Sequence, residues 1–209
     1  LNANIQFGEG GAGTFSDGKL TTRVGDPLCA FVTDAFLQHG APADIAWRQK
    51  PHVGTDLLRG IIRSIRQEII ALGGEVRFNT ALTGLKIENG ALAGVETTAG
   101  DFACEQLILA VGHSARDTFR MLYDAGVAMA QKPFSVGVRI EHPQSLINRA
   151  QYGAAAGSPY LGAAEYKLHA KLPDGRGVYS FCMCPGGQVI AAASEAGGVC
   201  TNGMSVYAR

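Results

Sequence analysis

The sequence predicts an α/β fold that carries a three-strand antiparallel meander and continues into a second, mostly β subdomain. Three features lead to this prediction. An apolar stripe of helical period runs through "TDLLRGIIRSIRQEIIALGG", a period of two begins at "EVRFNTALTGLKIENG", and the apolar run 107–111 leads through a glycine into another helical segment. Helix, meander, buried strand and helix in this order are typical of an α/β domain.

Three helices are predicted ahead of the strands. The first begins after Asp26 and Pro27, because an Asp side chain caps helix N-termini and Pro fits the first helical position, and it ends at Gly40. A short helix follows Pro42. The longest helix ends at Gly73 and can be capped by Thr55 or Asp56. One face of this helix is apolar, and its stripe comprises Leu57, Leu58, Ile61, Ile62, Ile65, Ile69 and Leu72.

The strands of the meander, which begin at "EVRFNT", are predicted to turn at Asn89 and Gly90 and again at residues 99–101. The continuous apolar run 107–111 predicts a strand buried on both faces. A helix then follows, "SARDTFRMLYDAG", with Ser114 and Asp117 spaced as a capping box.

The pattern of the sequence changes near residue 131, so we place a first domain at 1–130 and a second subdomain at 131–209. In the second, "KPFSVGVRIEHP" predicts a strand and "PQSLINRAQYG" a short helix. Hairpin turns are predicted at residues 173–175 and 185–187. Both turns are consistent with a mostly β region.

Composition excludes several classes of protein. The 18 basic residues equal the 18 acidic ones, so the chain lacks the basic excess typical of nucleic-acid binding. No apolar run approaches the roughly 20 residues that span a bilayer. The five cysteines form no C-x-x-C pair, which favours a reduced, cytoplasmic setting. The chain opens without Met, and we expect it to be a piece of a longer protein.

The opening glycines, Gly8, Gly10 and Gly13, have the G-x-G-x-x-G spacing of a dinucleotide fingerprint. The fingerprint requires a helix at the glycines and an acidic residue about 20 positions on, and neither follows here. Three interpretations remain open: a true fingerprint, a structural glycine turn, or a loop that admits a cofactor close to the backbone. In the last case the polar side chains of the loop are Thr14, Ser16, Asp17 and Lys19.

Two other motifs are candidates for chemistry. In "GHSAR", Ser114 follows a predicted strand as in the G-x-S-x-G elbow of α/β hydrolases, but Arg116 replaces the second glycine. In "FCMCPGG", Cys182 and Cys184 alternate on a predicted strand, so both side chains would point to one face. They are candidates for apolar packing or for a substrate-facing role. No further Cys/His pair has metal-ligand spacing, so we predict no metal site. Of the five histidines, only His113 lies where open α/β sheets bind ligands.

Five long blocks stand out: "NIQFGEGGAGTFSDGKLTTR", "KPHVGTDLLRGIIRSIRQEIIALGGEVRFNT", "ILAVGHSARDTF", "KPFSVGVRIEHPQSLI" and "GRGVYSFCMCPGG". They resemble bacterial FAD-dependent dehydrogenases of the glutathione-reductase-type superfamily, and the resemblance extends over essentially the whole chain. The resemblance implies that residues 1–130 are a partial FAD/NAD(P)-binding Rossmann-like domain. In such proteins the true pyrophosphate loop lies upstream of this segment, and a further flavin-contacting motif lies downstream.

The resemblance also implies where FAD would lie. The glycine-rich loop would run beside the flavin and its pyrophosphate, the strand after Glu75 would meet the adenine, and the "AVGHS" turn would close over the cofactor. The implied cofactor-binding residues are Gly10, Gly11, Ala12, Gly13, Thr14, Ser16, Asp17, Gly18, Lys19, Ala81, Leu82, Val111, Gly112 and His113.

The activity implied by the resemblance is hydride or electron transfer at the flavin, with NAD(P)H as a candidate donor and a small molecule as substrate. Lys19 is then the candidate cation near the flavin ring, and His113 a candidate proton donor. Cys182 and Cys184 would face the substrate; they lack the C-x-x-x-x-C spacing of disulfide reductases. The alternatives are a hydrolase that uses Ser114 and a non-catalytic nucleotide-binding module.

Overall fold

The structure is a computed structural model that describes residues 8–11, 14, 18–22, 24–48, 50–193 and 195–207. These residues form two compact units. Unit 1 contains the described residues up to Glu68 together with those from Val138 onward, and unit 2 is Ile69–Gly137. The functional division at residue 130, inferred from the sequence, stays a prediction.

The first helices of the chain follow the sequence signals. Helix α1 spans Leu28–Gln38, and the carboxylate of Asp26 accepts a hydrogen bond from the Leu28 N–H at 2.8 Å. A short 3₁₀ helix, Ala43–Ala46, follows Pro42. Helix α2 spans Thr55–Ala71 and ends where Gly73 adopts a φ of 90°, which glycine accommodates without strain. These predicted helices are confirmed.

The hydrophobic core of unit 1 lies where α2 meets the 3₁₀ helix. Its buried centre is Ile45, Val53, Leu58 and Ile61, and Val53 is fully buried. Burial of each such side chain contributes about 1.5–3 kcal/mol. Further apolar residues pack around this centre: Leu20, Phe36, Leu37, Ala41, Leu57, Ile62 and Ile65. The C-terminal part of the predicted stripe, at Ile69 and Leu72, is exposed.

Unit 2 contains the meander. Strands β1, Leu82–Glu88, β2, Ala91–Thr97, and β3, Gly100–Ala103, pair in antiparallel order. Asn89 and Gly90 both have positive φ, as a type I′ hairpin turn requires. Helix α3, Arg116–Asp124, packs against β1. The meander is confirmed, although its first predicted strand begins at Leu82 rather than at Glu75.

Two expectations for unit 2 are wrong. Residues 107–111 are not a strand, and Ile108 is 92% exposed, because no segment of the described chain pairs with them. Helix α3 begins after Ala115 and has no side-chain cap, so Ser114 and Asp117 do not form the predicted capping box.

The later part of unit 1 contains helix α4, Gln144–Tyr152, which was predicted, a 3₁₀ turn, Gly153–Ala155, and two hairpins. Strands β4, His169–Lys171, and β5, Gly177–Tyr179, form the first hairpin, and its predicted turn at 173–175 is confirmed. Strands β6, Gln188–Ala191, and β7, Thr201–Met204, form the second. The turn at 185–187 therefore leads into β6 but closes no hairpin.

The predicted strand at "KPFSVGVRIEHP" is wrong, because the described chain has no strand there and Val138 is 95% exposed. All sheets formed by the described residues are antiparallel, and each has two or three strands. The parallel sheet of a Rossmann-like domain thus stays a prediction. None of the helices in the described part of the chain is long and apolar enough to cross a membrane.

Candidate functional site

The glycine-rich loop is described in part. Gly8, Gly10 and Gly11 all have positive φ, and the Gly11 N–H donates to the Gly8 carbonyl at 2.9 Å. Thr14 is 6% exposed, and its hydroxyl donates to the Gly11 carbonyl at 3.1 Å. The other predicted cofactor contacts of this loop, Ala12, Gly13, Ser16 and Asp17, lie outside the described residues.

Internal packing explains two of the glycines. A Cβ atom at Gly10 would lie 2.3 Å from Cγ2 of Thr14, and one at Gly18 would lie 2.9 Å from the Gly54 nitrogen. Carbon and nitrogen atoms do not approach so closely, and the φ of Gly18 is also positive. Glycine is therefore required at both positions by the protein's own atoms, before any cofactor is considered.

Lys19 lies on a short extended segment that is bonded to the residues before α2. It forms a single antiparallel bridge with His52, while the Val53 N–H donates to the Gly18 carbonyl at 3.0 Å. The Lys19 ammonium donates to the carbonyl of Met183 at 2.5 Å and lies 3.9 Å from Sγ of Cys182. The structure thus brings together Lys19 and Cys182, two residues singled out independently in the sequence.

The two cysteines have different surroundings, which corrects the expectation of one common face. Cys182 is exposed and has a φ of 58°, a left-handed conformation that costs a non-glycine residue about 1–2 kcal/mol. Cys184 is half-buried, and its side chain fills the space beside Gly187 and Gly203. The predicted alternation fails because β5 ends at Tyr179, before either cysteine.

Residues 183 and 186, beside the cysteines, make further contacts that were not identified from the sequence. The Gly186 N–H donates to Oε1 of Gln144 at 2.8 Å, and the Tyr166 N–H contacts Sδ of Met183 at 3.4 Å. Nε2 of His142 lies 2.8 Å from the Tyr166 hydroxyl. Gln144 followed a proline at a helix start, and His142 was one of several scattered histidines. No local pattern could have linked them to residues 182–187.

In unit 2, the residues predicted to contact adenine form hydrogen bonds and strand pairs within the meander. The Ala81 N–H donates to the Thr98 hydroxyl at 3.0 Å, and the Ala81 carbonyl accepts from the Thr98 N–H at 3.0 Å. Leu82 begins β1 and pairs with Thr97. Both backbone groups of Ala81 are therefore engaged within the protein.

The "AVGHS" turn of unit 2 is open. Gly112 is exposed with a φ of 75°, and no atom lies within 4 Å of where its Cβ would be; the neighbouring Val111 is half-buried. His113 is exposed, and both its ring nitrogens lie 3.4 Å from the Ser114 hydroxyl. That separation exceeds the roughly 2.6–3.2 Å expected of a nucleophile and its base. The contact gives the hydrolase alternative no support.

The two predicted cofactor-binding segments differ in how far their polar groups are engaged within the protein. Thr14 and Lys19, the predicted donors of the glycine-rich loop, already donate to protein carbonyls. The left-handed, open turn at Gly112 leaves the backbone accessible to a bulky planar group. Within the described ranges, no cluster of three or more His, Cys, Asp or Glu side chains could hold a metal ion.

Two comparisons with known proteins found similar sequences, and one of them names a cofactor class. Residues 133–209 match the family described as FAD-dependent protein, C-terminal domain-like. The whole chain is also 55% identical over 212 residues to an uncharacterized protein of Clostridium beijerinckii, of which it spans 39% of the length. The family match includes Gln144, Tyr166 and the two cysteines. The match points to an FAD-dependent family for residues 133–209.

Proposed function

We propose that the chain is part of an FAD-dependent oxidoreductase that moves hydride or electrons between a reduced donor and a small-molecule substrate. The observation that carries this proposal is the match of residues 133–209 to the C-terminal domain of FAD-dependent proteins. NAD(P)H is the candidate donor.

Bound FAD would supply the electron-accepting ring, while the protein binds, orients and shields it. In unit 1, residues 182–187 would face the substrate, with the exposed Cys182 thiol toward it. In unit 2, the backbone at Gly112 would border the cofactor. The exposed imidazole of His113 would exchange a proton with solvent or substrate.

Reductive titration of the full-length protein tests this function. The oxidised flavin spectrum is expected to bleach anaerobically on addition of NADH or NADPH, and to return when an electron acceptor is added. His113→Ala is expected to slow the proton-dependent step and to shift its pH profile. His169→Ala is the matched control, because His169 is an exposed histidine on β4.

The other outcomes separate the alternatives. A flavin that binds but is reduced by neither nicotinamide would favour a different electron donor. A protein that binds FAD or ADP, but whose flavin is reduced neither by a nicotinamide nor by any other donor, would favour a non-catalytic nucleotide-binding module. Labelling by a fluorophosphonate that Ser114→Ala abolishes would favour the hydrolase and overturn the proposal.

A further inference from the structure

Residues 182–187, which we name the Cys-Met-Cys loop, are held by side chains distant in sequence. Lys19 donates to the Met183 carbonyl across 164 residues, and Gln144 accepts from the Gly186 N–H across 42 residues. The Tyr166 N–H contacts the sulfur of Met183. Both ends of the loop are thus tied to other elements of unit 1.

Gln144 makes several hydrogen bonds at once. Its amide nitrogen donates to Oδ1 of Asn148 at 2.8 Å and to the carbonyl of Ala164 at 3.0 Å, while its amide oxygen accepts from Gly186. Oδ1 of Asn148 also accepts from the Ala164 N–H at 2.9 Å, and Ala164 is 1% exposed. Gln144 therefore connects the loop to a fixed, buried point beside α4.

The loop needs such connections because its backbone is strained at Cys182. A non-glycine residue remains in the left-handed region only when its surroundings enforce that conformation. Lys19 is placed to do so, since its ammonium contacts the carbonyl of the next residue and lies near the Cys182 sulfur. A charged donor makes a stronger hydrogen bond than a neutral one, so this contact is suited to holding the strained turn.

We propose that Lys19 and Gln144 are positioning residues that fix the Cys-Met-Cys loop so that the Cys182 thiol faces the substrate. This inference rests on the proposed function, because it specifies how the substrate-facing segment of that oxidoreductase is held. It also changes the role of Lys19, which acts through Met183 and not as a cation beside the flavin ring. Gln144 performs the same task at the other end of the loop.

The test uses the full-length protein with its flavin and compares Lys19→Met, Gln144→Leu and the conservative Lys19→Arg with wild type. Hydrogen exchange is measured in the peptide that covers residues 180–188, together with the iodoacetamide alkylation rate of Cys182 by mass spectrometry. Cys29, on α1, is the internal reference thiol. Lys50→Met is the matched control, because Lys50 is an exposed lysine of unit 1 that pairs with Glu165.

Lys19→Met and Gln144→Leu are each expected to speed hydrogen exchange in this peptide severalfold and to change the alkylation rate of Cys182 but not that of Cys29. Lys19→Arg is expected to restore both values, and Lys50→Met to leave them unchanged.

Unaltered exchange and alkylation in both Lys19→Met and Gln144→Leu would overturn the inference. So would a Lys19→Met protein whose loop is unchanged but whose flavin spectrum is shifted, because Lys19 would then act on the ring. If Lys19→Met fails to fold, Gln144→Leu and Lys19→Arg decide.

Flavin content measured in the same samples separates this inference from the proposed function. Wild-type protein without flavin, even after reconstitution, would contradict the proposed function whatever the loop does. Wild-type protein that holds flavin, with no effect of either substitution on the loop, would contradict only the positioning role.

Discussion

Two apolar regions of this molecule differ sharply in solvent exposure. Around Val53 and Ile61, apolar side chains lie at 0% and 2% exposure, because two helical segments and an extended segment cover them. At residues 107–111 an equally apolar run has Ile108 at 92% exposure and no strand to pair with in the described chain. Burial of apolar surface thus depends on the partners that the fold supplies, not on the apolar character of the segment alone.

The largest effect on the free energy of unfolding is expected when side-chain volume is removed from the buried region, and the exposed region serves as the control. Ile61→Ala should lower the free energy of unfolding by about 2–5 kcal/mol, because it leaves a cavity in the core. Ile108→Ala should change it by less than about 0.5 kcal/mol in this chain. Urea unfolding measures both values. Equal losses from the two substitutions would contradict the comparison.

A glycine at the edge of the core is expected to have the next largest effect. Gly54→Ala places a Cβ 2.2 Å from the Tyr207 nitrogen at a φ of 79°. The overpacking should cost about 1–3 kcal/mol, and the left-handed backbone about 1–2 kcal/mol more. Gly40→Ala is the control, because its φ is 98° and nothing lies within 4 Å of the added atom. If the two variants lose the same stability in urea, the close packing at Gly54 is not real.

Relief of strain in the Cys-Met-Cys loop should have a smaller effect of opposite sign. Cys182→Gly is expected to raise the free energy of unfolding by about 1 kcal/mol, because glycine adopts a positive φ without steric cost. Cys184→Gly, at a half-buried position packed beside Gly203, should lower it instead. Thermal unfolding of both variants checks the signs, and destabilisation by Cys182→Gly would contradict the left-handed conformation.

The smallest effect is expected at alkaline pH. A hydrogen bond to Asp44, and then burial, raise the pKa of Tyr207 above its ordinary value of about 10. The unfolded chain therefore loses this proton first, and stability that is fully present below about pH 10 is lost as the pH rises through the folded pKa. Tyr207→Phe should reduce the fall in stability above about pH 10 in urea unfolding. An unchanged fall would show that Tyr207 does not contribute.

The helices and the meander could be predicted because their determinants are local. The stripe on α2, the glycine that ends it, and the Asn89–Gly90 turn each lie within a few residues of the structure that they specify. Residues 107–111 were predicted wrongly because a strand depends on hydrogen bonds from neighbouring strands, which lie elsewhere in sequence.

The candidate site could be predicted only residue by residue. Lys19 and Cys182 were each singled out by type and position, but their contact joins segments 163 residues apart, and no spacing rule reports such a pair. Gln144 was missed because its task depends on where α4 places it beside Gly186. Side chains that hold a loop in place are specified by tertiary structure, and a single sequence carries no periodic signal for them.

The flavin content of the full-length protein decides whether this chain is part of a flavoprotein. Denaturation of the purified protein, followed by mass spectrometry of the released small molecules, should yield FAD in an amount close to that of the polypeptide. A colourless full-length protein that releases no FAD, and gains none on reconstitution, would contradict the proposal that this chain is part of an FAD-dependent oxidoreductase.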